Sequence, residues 1–376
     1  MNKSNRKLKA YLIVLLIVAF LAVSIFGTFL GVNISRNSQI NTVDFAPMSG
    51  IANKTILFIG DGMGENHVSV TASYYEKDLF MTSLPLSGKV STFSRDMIYP
   101  TDSAAAASAL ATGKKYDNKE VSRHAGKDVE TISEYAKSKG YGVGIVTTDN
   151  LYGATPASFS SHANKRGDTD VIIAGQIAGK IDLFLGAGSS KYAEYKAQFE
   201  EKGFEYSSDL SALSLNLNRV FGVFSKVVSS DGTNDTPTLE MLTDFAVDYM
   251  EQNFPNGYFL MIEGAHIDKK SHDNKIFEMM EYLDSFDKSI KIAYDKLKSQ
   301  TGVAIVVTAD HETGDLRFKS GVTIDNSLYH RTGHSGKNVP YYMYFNLAES
   351  VDVGVILPKK IDNTDIYKLF KSLLTK

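Results

Sequence analysis

The 376-residue chain contains no cysteine. Disulfide cross-links, thiolate metal sites, a thiol nucleophile and a lipid-modified N-terminal Cys are therefore excluded, and any metal has to be held by His, Asp, Glu or hydroxyl groups. Positive charge is also scarce in the main body: from residue 36 onward, 36 Lys and Arg face 43 Asp and Glu, a net of −7. That balance leaves no basic surplus for a nucleic-acid groove. Repeats and low-complexity tracts are missing, and Gly and Pro stand at ordinary levels, 29 and 8. With 43% hydrophobic and 22% charged residues, the chain can bury a full core and is neither disordered, collagenous nor a miniature scaffold.

A further absence marks the N-terminus. Nothing from Ala10 to Ser35 carries a charge, whereas the preceding residues hold Lys3, Arg6, Lys7 and Lys9 and no acid. The run AYLIVLLIVAFLAVSIFGTFLGV, Ala10 to Val32, is 23 apolar or small residues. As a helix it extends roughly 35 Å, enough to span a bilayer. By the positive-inside rule, residues 1–9 stay in the cytoplasm and the rest of the chain lies on the extracytoplasmic side of the cell membrane. The competing reading is a cleaved signal peptide and a secreted product, with Ala22-Val23-Ser24 as the small-residue cleavage site. The apolar run continues well past that point, which favours an uncleaved single-pass anchor. Residues 33–53, polar and with little periodicity, read as a linker, leaving 54–376 as one catalytic-size domain whose stability comes from a large core.

Within that domain, five short continuous apolar runs read as buried parallel strands: TILFIG (Thr55 to Gly60), YGVGIVTT (Tyr141 to Thr148), IDLFLG (Ile181 to Gly186), YFLMIEG (Tyr258 to Gly264) and VAIVVTAD (Val303 to Asp310). Helix-compatible segments lie between them, at Ala104 to Ala111, Thr131 to Lys139, Thr238 to Asn253 and Ile276 to Ser299. The alternation predicts an α/β fold, a central mostly parallel sheet with helices on both faces.

Acids stand where these strands end. TILFIG runs into Asp61, YFLMI into Glu263 and VAIVVTA into Asp310 and His311. Ligands of open α/β sheets bind beyond the carboxyl ends of the strands, so acids emerging there from different strands can converge. Clustered carboxylates repel unless cations lie between them. Each Asp alone reads as a helix cap or turn residue, but the coincidence of three does not. Asp268 and His272, four residues apart, share one face if their segment is helical, and together offer half of a zinc site without cysteine. His334 sits in a Gly-rich loop entering another strand-like run, where it can close a coordination shell. Thr101-Asp102-Ser103 precedes an alanine-rich helix, so Ser103 lies among the free N–H groups of a helix start, a place that favours phosphate or an oxyanion. The alternative there is an ordinary N-cap. Thr155 in a turn and Arg166, whose fork suits bidentate phosphate contact, complete the set.

In this order the residues resemble the alkaline phosphatase family, over nearly everything from Lys54 to Phe345. The likeness is carried by FIGDGMG around Asp61, TDSAAAASALATG around Ser103, ATPASFSSHANKR around Thr155 and Arg166, FLMIEGAHIDKKSH around Glu263, VVTADHETGDL around Asp310 and TGHSGKNVPYY around His334. The resemblance implies two Zn²⁺ sites, one of Asp268, His272 and His334 and the other of Asp61, Asp310 and His311. It implies a third site, usually for Mg²⁺, shared by Asp61, Thr155 and Glu263. Ser103 becomes the nucleophile, Arg166 the phosphate clamp, and phosphate monoesters the substrates, cleaved through a phosphoserine. Family members are often dimers, so the resemblance also raises a homodimer, although no interface is legible here.

Two positions depart from the family pattern. Gly153 stands where well-known members carry Asp or His, and Lys269 where some have His, which leaves the identity of the third metal open. The nearest alternative is another phosphohydrolase of the same metal-dependent superfamily, such as a phosphodiesterase. Those enzymes share the metal frame but not the whole TDSAAAASA and ATPAS set.

Overall fold

The computed structural model describes Val18, residues 43–96, 100–216 and 219–375. Apart from Val18, the apolar run from Ala10 to Val32 lies outside the described residues. Among those described, no helix is long and apolar enough to cross a membrane. The stretch read as linker joins the folded body at Val43, ahead of the expected boundary at Lys54. Val43, Phe45, Met48, Ile51 and Ala52 are all buried in the core. Ser372 Oγ donates to the Phe45 carbonyl at 2.6 Å, tying this segment to the C-terminal helix. The apolar residues here are spaced irregularly, so no period marked them as core.

Ten strands form one sheet among the described residues. In chain order they are β1 (Lys54–Gly60), β2 (Leu86–Ser91), β3 (Gly142–Asn150), β4 (Leu183–Ala187), β5 (Glu205–Ser207), β6 (Val220–Phe224), β7 (Tyr258–Gly264), β8 (Val303–Thr308), β9 (Val339–Asn346) and β10 (Lys360–Asp362). Their spatial order is β10-β2-β9-β8-β1-β7-β3-β4-β6-β5. The five predicted strands are the parallel centre, β8, β1, β7, β3 and β4. The strand-like run after His334 is β9, antiparallel to both β8 and β2. Strands β2, β5, β6 and β10 were not predicted and lie toward the edges: β5 and β10 have three residues each and β2 is largely exposed, whereas β6, VFGVF, is a buried apolar run as long as β4.

Helices cover both faces. Those used below are α1 (Ser103–Thr112), α2 (Ile132–Ser138), α3 (Ala154–Ser160), α4 (Leu239–Asn253), α5 (His266–His272), α6 (Ile276–Leu297) and α7 (Asn363–Leu373). Phe58 of β1 meets Phe286 of α6 edge-on at 5.9 Å. Phe259 of β7 points the other way, packing against Phe159 of α3 at 6.1 Å and Phe370 of α7 at 5.3 Å. Sandwiched in this way, β7 and β8 are buried along their whole length, which explains apolar runs without polar alternation. Local signals set the helix starts. Thr131 and Glu134 form a reciprocal capping box on α2, and Thr238 caps α4.

The parallel register decides what the ends of the strands bring together. Ile59 of β1 pairs with Thr308 of β8 on one side and Glu263 of β7 on the other. Glu263 in turn lies level with Thr147 of β3. Asp61, Glu263 and Asp310 thus leave three adjacent strands at nearly the same height.

Candidate active site

Asp61 and Gly62 follow β1 directly. Gly62 has φ +74°, and a Cβ there would lie 2.9 Å from the Cα and Cβ of Asp268. Only glycine lets the β1 turn close against α5 in this way. Its N–H donates to Asp310 Oδ1 at 3.1 Å, and the His311 N–H to the same oxygen at 2.9 Å. One carboxylate oxygen of Asp310 is thereby fixed, and the other, Oδ2, is turned toward His311 Nε2 at 3.3 Å. Asp61 Oδ1 lies 3.5 Å from the same nitrogen.

Helix α5 carries Asp268 and His272 on one face, with Asp268 Oδ2 3.3 Å from His272 Nε2. A two-stranded ribbon pairs Thr313 with His334 and so brings His334 beside His311. The rings of these two histidines stack at 3.6 Å. His334 Nε2 lies 3.6 Å from Asp268 Oδ1 and 3.0 Å from His272 Nε2. All six residues that the resemblance assigns to the two zinc sites therefore meet. His311 stands between the groups, since Asp268, His311 and His334 converge as closely as Asp61, Asp310 and His311 do, within 4.8 Å.

The hydrogen-bond network assigns the proton on each ring. Thr313 Oγ1 donates to Asp268 Oδ1, so it accepts from His311 Nδ1, 3.3 Å away. His334 Nδ1 donates to the Thr101 carbonyl at 2.8 Å, and His272 Nδ1 to the Thr332 carbonyl. In all three rings Nδ1 carries a proton, so each inward Nε2 can offer its lone pair to a cation; without one, the bond to Asp268 favours a second proton on His272 Nε2 and raises the pKa of that ring. The Nε2 atoms of His272 and His334 face each other at 3.0 Å, a contact that needs a cation or a shared proton between them.

Ser103 is the first residue of α1 and is buried. Asp102, not Ser103, caps the helix, accepting from the Ala105 N–H at 2.9 Å. The serine hydroxyl is free of capping duty and lies 3.2 Å from His311 Nε2. Asp102 Oδ2 is 3.4 Å from Arg166 Nη1, which keeps the half-exposed guanidinium beside the start of α1. The charge of Arg166 reaches Asp61 and His311.

Glu263 accepts from Thr147 Oγ1 and is almost fully buried. Thr155, in α3, has its Oγ1 close enough to favour the ionised form of Glu263, but in no well-formed hydrogen bond. Thr155 Oγ1, Asp61 Oδ1 and Asp310 Oδ2 are buried oxygens with no hydrogen-bond partner among the described residues. Burial pushes Asp61 well above the ordinary carboxylate range, reinforced by the charges of Asp310, Asp268 and Glu263. Burial likewise pushes Glu263 up to about 8, with Asp149 the strongest charge acting on it, and Asp310 up to about 7. Orphaned acceptors, crowded carboxylates and inward imidazole lone pairs together suit divalent cations, so the donor set fits the metals.

Several supporting residues escaped the sequence reading. Thr313 orients both Asp268 and His311, Asp102 caps α1 and holds Arg166, and Thr147 anchors Glu263. Asp149, at the end of β3, makes an ion pair with Lys269. Of these only Asp149 had a usable signal: it too is an acid at the carboxyl end of a predicted strand.

The family profile described as "Alkaline phosphatase" matches residues 52–349. The chain is 32% identical over 334 residues to alkaline phosphatase 3 of Bacillus subtilis (strain 168), covering 82% of this chain and 71% of that protein. It is 28% identical over 414 residues to the alkaline phosphatase of Escherichia coli (strain K12), covering 86% of each. Among solved structures, the alkaline phosphatase from the Antarctic bacterium TAB5 superposes with a TM-score of 0.73 at 25% identity, over 86% of this chain and 98% of that one.

Proposed function

The chain belongs to the alkaline phosphatase family and is a metal-dependent phosphomonoesterase; on that premise we propose that Ser103 is its nucleophile, within a site for two Zn²⁺ and one Mg²⁺. Asp268, His272 and His334 would hold one zinc, and Asp61, Asp310 and His311 the other. Asp61, Thr155 and Glu263 would hold the magnesium. Bound there, the cations supply Lewis acidity, favouring the serine alkoxide and offsetting charge on the entering and leaving oxygens. The observation that carries this reading is the convergence of three Nε2 atoms and the orphaned carboxylate oxygens around Ser103.

The chain's own groups then divide the work. Ser103 Oγ attacks phosphorus, the ester P–O bond breaks and the alcohol departs, leaving a phosphoserine. Water attacks that phosphoserine, releasing phosphate and restoring the hydroxyl. Arg166, held at the start of α1 by Asp102, pairs with the equatorial phosphoryl oxygens, and the free N–H groups of the helix start add to that field. Burial of Ser103 limits competing solvent contact. The run from Ala10 to Val32, with four basic residues and no acid before it, supports a membrane-anchored chain whose catalytic domain faces away from the cytoplasm.

Ser103→Ala tests the assignment. We expect turnover of an aryl phosphate monoester to fall at least about a thousandfold, with bound zinc unchanged by elemental analysis. Retained turnover would remove Ser103 from its role, and a preference of the wild type for diesters would overturn the monoesterase reading.

A further inference from the structure

Next to the third group of ligands the chain has built an arrangement that the site's own chemistry does not require. Asp149 ends β3, four-fifths buried, and its carboxylate pairs with the Lys269 ammonium, which follows the ligand Asp268 on α5. The Asp149 N–H donates to Thr147 Oγ1 at 2.9 Å, which commits the Thr147 proton to Glu263. The peptide N–H of Asn150 fixes Asp149 Oδ1 at 2.6 Å. Gly153 makes room for this carboxylate. Its φ of −59° is open to any residue, so backbone freedom is not the reason for glycine. A Cβ at 153 would instead lie 2.8 Å from Asp149 Oδ2 and 2.9 Å from the Asn150 carbonyl.

Asp149 joins no group of converging ligands among the described residues. Its charge is nevertheless the one felt most strongly by Glu263, ahead of Asp310. The independent sign that a ligand belongs here is the Thr155 hydroxyl, buried to about 99% and without a partner. A carboxylate just outside a cation site draws the cation in, and an ammonium paired with that carboxylate works against it.

We propose that Asp149 is an outer electrostatic determinant of the third cation site, admitted by the bare Gly153, and that Lys269 is its counterweight. This rests on the assignment of Asp61, Thr155 and Glu263 to that site. The pair sets how tightly Mg²⁺ is held, and it links the third site to α5, which carries two ligands of the neighbouring zinc site.

The test is Mg²⁺ binding by equilibrium dialysis to the zinc-loaded, full-length protein and three variants. Asp149→Asn keeps the shape and removes the charge, and should weaken Mg²⁺ binding by about tenfold or more. Lys269→Met, at a half-exposed position screened by solvent, should tighten it by about two- to fivefold. Opposite signs are the signature, because a merely structural clasp would weaken binding in both. Shifts of the same sign, or none in either variant, overturn the proposal. Glu263→Gln separates this from the assignment beneath it: loss of Mg²⁺ binding upholds the third site, whereas retained binding brings down that assignment and the proposal with it. Zinc content, measured alongside, shows that each variant has kept its fold.

Discussion

Asp310 and Asp268 are both buried carboxylates at the same end of the sheet, yet burial pushes the first up to about 7 while the second lies well below the ordinary carboxylate range. Burial acts on Asp268 in the same upward direction. It is outweighed by the bond to His272 and by the imidazoles of His311, His272 and His334. Asp310 feels the like charge of Asp268, and the peptide N–H groups of Gly62 and His311 and the adjoining Asp61 carboxyl offset burial only in part. One half of the site therefore arrives with its charge compensated by the protein, and the other is left for cations to compensate. Neighbours, more than depth, decide what a buried carboxylate does.

Chelation should break this contrast most completely. Turnover should vanish and return with Zn²⁺ plus Mg²⁺. Metal-free protein should also be less stable at pH 9 than at pH 6. Carboxylates whose folded pKa is raised contribute stability that is present below their ordinary values of 3.8 and 4.5 and is lost as pH rises through about 7 for Asp310 and 8 for Glu263. Loaded protein should lack that slope, and parallel melting curves with and without chelator would dissolve the contrast.

Single substitutions sharpen it. In metal-free protein at pH 8.5, Asp268→Asn should cost about 2 kcal/mol, because the facing imidazoles and Thr313 lose their charged partner. Asp310→Asn should cost nothing or stabilise, since the amide oxygen still accepts from Gly62 and His311 while the like charge is gone. Equal losses in urea unfolding would mean that the two halves do not differ as described.

Arg166→Ala should affect neither half's metal content. It should weaken inhibition by inorganic phosphate by about tenfold; an unchanged inhibition constant would discredit the clamp.

The smallest effect is expected away from the site, at His162 and Glu134, 3.0 Å apart. Burial lowers the His162 pKa, but the Glu134 bond, the Ser122 carbonyl and the charges of Glu134 and Asp128 outweigh it, and the net shift is upward. Glu134 is correspondingly held below its ordinary value despite burial, by His162 and Thr131. The pair therefore stabilises the fold between those two values, fading as pH falls through that of Glu134 or rises through that of His162. With Glu134 about half exposed, His162→Asn should cost under about 1 kcal/mol at pH 5.5 and less at pH 8.5, measured by urea unfolding.

Much of the fold was legible because burial on both faces removes polar alternation from a strand. The five apolar runs are the five central parallel strands, and the acids that end three of them lie together because parallel strands end at one edge. What escaped is equally particular. Val43 to Ala52 is core without a period, β5 and β10 have three residues each, and β2 is a largely exposed strand near the sheet edge; β6 alone carried the same buried apolar signal as β4. Asp149 was passed over although the same strand-end rule applied to it. Thr313 and Thr147 left no trace, because a threonine that orients a ligand looks like any other threonine in sequence.

By itself the sequence determined the chemistry available: an oxygen-and-imidazole donor set forced by the lack of cysteine, strand-end acids, and a serine at a helix start. These are local properties, set by side-chain type and by the period of the backbone. Only the tertiary structure decided the rest. Ser103 and His311, 208 residues apart, meet because α1 and the end of β8 open onto the same edge. The proton on each imidazole follows from carbonyls and hydroxyls supplied by other segments, and Asp149 has room for its carboxylate only because position 153 carries no Cβ. Distances of this kind depend on the order of strands in the sheet, and no local pattern encodes that order.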